Sequence, residues 1–200
     1  MGKQAMGMFA SNYKARMEAN QQVINTKLKE FYGKNWKKAI KSNRRVKKDF
    51  TADGWTEKLS QNEAYYLYNQ WKDPANRPGL KANGWTEKYI TEMTEKFLKP
   101  EVKKWADYQV DELFPELYKD YNETYIDIYR TDMPWNKNYA GAVRREIDSV
   151  EEHDLLSGTN QYKSSVGGGS TKLRSKNSRP IKKADGDDSL ISYITEMEHF

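Results

Sequence analysis

The sequence predicts a mainly α protein: an irregular bundle of about five to six helices, followed by a basic Gly/Ser-rich arm and a C-terminal amphipathic helix. Three observations lead there. Apolar residues recur at helical spacings over the first 147 positions, and helix-start chemistry and prolines divide that stretch into segments. Beyond Ile147 the composition turns to Ser, Gly, Asn and Lys, before an apolar stripe resumes near Leu190. The chain therefore divides into a helical domain (1–147), a basic flexible arm (148–188) and a C-terminal helix (189–200). With 36% hydrophobic and 32% charged residues the core is lean.

In the first helix, Phe9, Tyr13, Met17, Ile24, Leu28 and Phe31 fall on one face, and Gly33 supplies the stop. Trp36, Ile40, Val46 and Phe50 anchor a second helix expected over Asn35 to Phe50. An internal echo follows: Ala52-Asp-Gly-Trp-Thr-Glu-Lys58 recurs as Ala82-Asn-Gly-Trp-Thr-Glu-Lys88. Both copies read as helix entrances, each with a glycine turn, a threonine cap and a first-turn glutamate. In the second copy Trp85 can staple onto Ile90; in the first, Ser60-Gln-Asn-Glu63 forms a fresh capping box for a helix over Gln61 to Lys72.

Asp73 to Gly79 carries two prolines and breaks the chain into a loop. A helix from Thr86 to Leu98 comes next, and Pro100 then opens a longer one. Pro115 should kink or split that helix, since its ring blocks the bond to the preceding turn. Thr131 to Gly141 reads as an ordered loop. The arm lacks the apolar content to bury itself. Asp187, Asp188 and Ser189 offer caps for the last helix, which could dock on the body or on another molecule.

Net charge is only +5, yet the charges are segregated. Lys34 to Lys48 contains eight basic residues and no acid; Leu155 to Ala184 contains seven and again no acid. On a helix, Lys34, Lys37, Lys38, Lys41, Arg44, Arg45 and Lys48 share a broad face whose complement is phosphate or an acidic protein groove. The competing reading is a solvated face paired with acids between Glu101 and Asp132. In the arm and just beyond it, Lys172, Arg174, Lys176, Arg179, Lys182 and Lys183 form a cationic strand suited to RNA or an acidic surface. The chain has 14 tyrosines and 6 tryptophans. Tyr65, Tyr66 and Tyr68 on one short helix cannot all face inward, so with Trp135 they are candidate interface aromatics.

No catalytic residue is expected. His153 and His199 are the only histidines, and His199 has no visible acid–base partner. Glu151-Glu-His-Asp154 reads as a solvated charge run rather than a metal site, because consecutive residues rarely converge on one ion. Gly167-Gly-Gly-Ser-Thr-Lys172 fails the phosphate-loop spacing. Asp185, Asp187, Ser189 and Glu196 match four calcium-loop positions, but Leu190 stands where that loop requires glycine. No cofactor or metal follows from these patterns. The chain has zero cysteines, which removes thiolate chemistry, and no apolar run is long enough for a membrane span.

Four stretches occur in a telling order: Leu59-Ser-Gln-Asn-Glu-Ala-Tyr-Tyr-Leu-Tyr68, Asp132-Met-Pro-Trp135 with Asn138-Tyr139, Lys172-Leu-Arg-Ser-Lys-Asn-Ser-Arg-Pro180, and Tyr193-Ile-Thr-Glu-Met-Glu-His-Phe200. Together they resemble an internal helical segment of the very large virion-associated, polyvalent proteins of tailed bacteriophages, particularly those of Bacteroidota hosts. In those giants the segment is helical scaffold or injected cargo, and the resemblance carries no catalytic residues. It implies one of two roles. One is a phage-encoded, non-enzymatic protein acting in the host cytoplasm, which binds a host protein or an RNA–protein complex. An inhibitor of a nucleic-acid-guided defence nuclease, as in anti-CRISPR proteins, is an example. The other is a virion structural or ejected cargo protein, or a fragment of one.

Overall fold

The computed structural model describes residues 2–135, 138 and 181–198, and it is mainly helical, as the sequence predicts. Helix α1 (Gly2–Tyr32) buries Ile24 and Leu28 and leans Met17 and Phe31 on the core, along the predicted stripe. Gly33 ends it with φ 72°, its N–H donating to the Lys29 carbonyl at 2.9 Å. Glycine takes that left-handed conformation without a side-chain clash.

Helix α2 (Trp36–Arg45) stops five residues before the expected Phe50. In place of its last turn, β1 (Lys47–Ala52) pairs antiparallel with β2 (Trp55–Ser60), and Phe50 lies opposite Glu57. Asp53 and Gly54 both have positive φ, 49° and 78°, as a two-residue hairpin turn requires. The first copy of the echo is thus a hairpin tip and not a helix entrance. Along β1 Phe50 and Ala52 point inward between exposed neighbours, a period of two that overrides the helical spacing, and Leu59 of β2 is buried with them. The second copy does open a helix, α5 (Glu87–Glu92), where Thr86 Oγ1 accepts from the Tyr89 N–H at 3.2 Å. The two copies pack on each other. The Trp55 and Trp85 rings meet edge to face at 4.8 Å, and Lys88 pairs with Asp53 at 2.5 Å.

Helix α3 (Gln61–Lys72) starts with the predicted capping box: Ser60 Oγ accepts from the Glu63 N–H, and the Glu63 carboxylate accepts from the Ser60 N–H. It is the hub of the fold, touching α2, β2, the short α4 (Arg77–Lys81), α6 (Pro100–Tyr108) and the last helix. The expected loop at 73–79 is correspondingly shorter, because α4 begins within it. A π turn (Met93–Phe97) extends α5. A second π turn (Gln109–Leu113) joins α6 to α7 (Phe114–Tyr129), directly upstream of Pro115. Widening the helix there accommodates the backbone N–H that proline lacks.

The chain returns at Ile181, which is buried and donates its N–H to the Gly79 carbonyl at 3.1 Å. Helix α8 (Gly186–Glu198) then docks on α1, α3 and the start of α7, burying Leu190, Tyr193, Ile194 and Met197. It starts earlier than expected. Asp185 is its cap, with Oδ1 accepting from the N–H groups of Asp187 and Asp188 at 3.0 and 3.2 Å. Residues 181–188, expected in the flexible arm, are seated on the body; residues 148–180 of that arm lie outside the described residues.

Candidate functional site

Helices α1, α2 and α8 enclose a groove of about 390 Å³. Helix α2 supplies two adjacent i, i+4 rows: Trp36, Ile40 and Arg44, and beside them Lys37, Lys41 and Arg45. Helix α1 adds Ile24 and Leu28 with Gln21 and Asn25 above them; α8 adds Leu190 and Ile191. The floor is therefore aliphatic with two tryptophans, Trp36 and, from α6, the buried Trp105, and the rim on the α2 side is cationic. Ile191 stays 51% exposed on the wall.

The Asp187 carboxylate lies low in this groove, accepting from the Tyr65 hydroxyl, from Trp105 Nε1 at 3.1 Å and from Asn62 Nδ2 at 2.9 Å. Burial pushes it above the ordinary carboxylate range, against these three donors, which favour the anion. Burial likewise drives the Tyr65 hydroxyl well up, and the adjacent Asp187 charge adds to the effect.

The structure sorts the predicted cations into three groups. Lys37, Lys41 and Arg45 line the groove, and Lys34 and Lys38 lie exposed beside it; none has a carboxylate partner among the described residues. Lys48 is also exposed but belongs to β1, so the single helical face expected for all seven does not exist. Arg44 is the correction. Its Nε lies 3.1 Å from Asp185 Oδ2 and its Nη2 bonds Asp188, and these bonds raise its pKa further. It belongs to the seat of α8 and is not free for a partner. Lys182 is exposed, whereas Lys183 is paired with Glu57. Lys172, Arg174, Lys176 and Arg179 lie outside the described residues.

The acids between Glu101 and Asp132, offered as the alternative partners of α2, are engaged elsewhere where the structure shows their bonds. Asp107 takes Lys72 at 2.6 Å and Lys103 at 2.7 Å. The tyrosines are corrected too. Tyr65 and Tyr66 are 1% and 2% exposed, because α3 is surrounded and has no outer face for them. Tyr68 is half-buried and donates to Asp107 at 2.7 Å. Trp135 is 46% exposed and packs on Tyr118 at 4.3 Å, which leaves it the one outward aromatic of the four. Asp185 and Asp187 receive side-chain donors, and no group of three metal-ligating side chains occurs among the described residues.

Sequence reasoning missed the apolar half of the groove. Ile24 and Leu28 read as plain core, and nothing local signals that Leu190 and Ile191 arrive beside them. Comparison with protein-family models, curated proteins and solved structures finds no match to this chain.

Proposed function

We propose that this chain is a non-enzymatic, phage-encoded binding protein that engages a host protein or ribonucleoprotein, as an inhibitor of a nucleic-acid-guided defence nuclease would. One observation carries the reading: Lys37, Lys41 and Arg45 form a cationic row along an apolar groove, with no carboxylate partner among the described residues. Holding like charges together without counter-charges costs free energy that an acidic or phosphate-bearing partner recovers. Lys34 and Lys38 extend the same potential around α2.

Charge reversal tests it. In Lys37→Glu/Lys41→Glu/Arg45→Glu all three changed side chains are exposed in the wild type, so helical circular dichroism should match wild type. Affinity capture from host extract, half of it nuclease-treated, should recover a host partner with wild type and lose it with the triple variant. Equal capture by both proteins would sink the proposal. Recovery of virion proteins alone would replace it with the structural or cargo role.

A further inference from the structure

We infer that the groove between α1, α2 and α8 receives an acidic amphipathic helix from a partner protein. The inference deepens the reading of the cationic row as a binding surface and depends on it. The chain already shows how such a helix is held. Its own α8 brings Asp185 and Asp188 onto Arg44 while Leu190 packs on the apolar floor. The next row of α2, at Lys37, Lys41 and Arg45, presents the same chemistry one stripe over, with no acid opposite it among the described residues. A second acidic helix laid beside α8 would repeat that docking mode.

The dimensions agree. The lining runs the whole ten residues of α2, about 15 Å at the helical rise, which matches a segment of about three turns. Aliphatic residues at i, i+3, i+4 and i+7 of the incoming helix would fill the floor and cover Ile191, while flanking carboxylates would meet the rim. Nucleic acid fits less well. Stacking needs open aromatic faces, yet Trp105 is 1% exposed and the Trp36 ring carries the Lys37 ammonium 5.4 Å from its centre. The remaining floor is aliphatic and offers phosphates no donors.

The test uses the full chain and a fluorescent peptide of about 14 residues patterned with Glu and Leu at helical spacing. Its controls are the same peptide with Lys for every Glu, the same peptide with Ser for every Leu, and a single-stranded RNA. Anisotropy should show binding of the Glu/Leu peptide alone. Affinity should fall about tenfold or more in the triple charge-reversal variant and about threefold or more in Ile191→Asn. Failure of the Glu/Leu peptide to bind, or equal binding of its serine or lysine counterpart, overturns the inference. RNA binding that the triple variant abolishes, without peptide binding, overturns the helix assignment and leaves the cationic surface standing. If neither peptide nor RNA binds, the inference falls, and host capture independently decides the broader proposal.

Discussion

At the scale of single residues, two carboxylates that burial opposes alike shift in opposite directions because their partners differ. Burial works against the Asp107 charge, but the ammonium groups of Lys103 and Lys72 and the Tyr68 hydroxyl outweigh it and hold this carboxyl below its usual range. Asp187 has three neutral side-chain donors and no ion pair among the described residues, and the nearby Asp185 charge adds to burial, so its pKa rises. The signs of their pH dependence follow. A depressed pKa stabilises the fold above the unfolded carboxylate value of about 3.9 and loses that contribution as pH falls through the folded value. The raised pKa of Asp187 does the reverse, weakening the fold as pH climbs through it. Urea denaturation of wild type and Asp107→Asn should therefore show wild type more stable near neutral pH, with the gap closing below about pH 4. A gap that does not change with pH would show that the charge of Asp107 is immaterial. Both carboxylates are visible in the sequence, as is Lys103 one turn before Asp107, but Lys72 and Tyr68 at Asp107, and all three donors at Asp187, come from helices elsewhere in the chain, so neither shift could be read there in full.

At the scale of elements, the capping box at Ser60 is a local device with a local prediction. Ser60→Ala removes one acceptor for the Glu63 N–H at the start of the hub helix and should cost about 1 kcal/mol. A lower urea midpoint at unchanged slope would register it; an unchanged midpoint would mean that Lys47, which holds Glu63 at 2.7 Å, keeps the turn closed without the hydroxyl. The first turns of α3 and α5, the stop at Gly33 and the opening at Pro100 were all legible, because each depends on residues within one turn of the boundary. The hairpin was legible in principle as well. Asp53-Gly54 lies between inward-facing Ala52 and half-buried Trp55, the usual signature of a two-residue turn. Trp36 and Ile40 set a helical rhythm that Val46 and Phe50 happen to continue. Val46 is 52% exposed, which shows that the continuation was coincidental.

At the scale of the whole molecule, the C-terminal helix closes the fold and builds one wall of the groove. Its fit rests on Gly186: a Cβ there would come within 2.1 Å of the buried Tyr65 ring, which Asp187 holds from its hydroxyl end. Gly186→Ala should therefore destabilise the protein by about 1–3 kcal/mol through overpacking, lowering the thermal midpoint. A wild-type midpoint would mean that α8 does not approach α3 so closely. Arg44 and Asp185 are 141 positions apart and Tyr65 and Asp187 are 122 apart, so this closure has no local trace.

The mainly α class, the caps of the central helices and the acid-free run from Lys34 to Lys48 are all properties of neighbouring residues, and the chain written out as letters already contains them. Which of those cations stay free is a different kind of fact. Among the described residues Arg44 meets carboxylates and Lys37, Lys41 and Arg45 do not, because a helix from the far end of the chain lands on one row of α2 and stops short of the next. Coulomb pairing acts over a few ångströms of space and is indifferent to sequence separation, so that division exists only once the chain has folded.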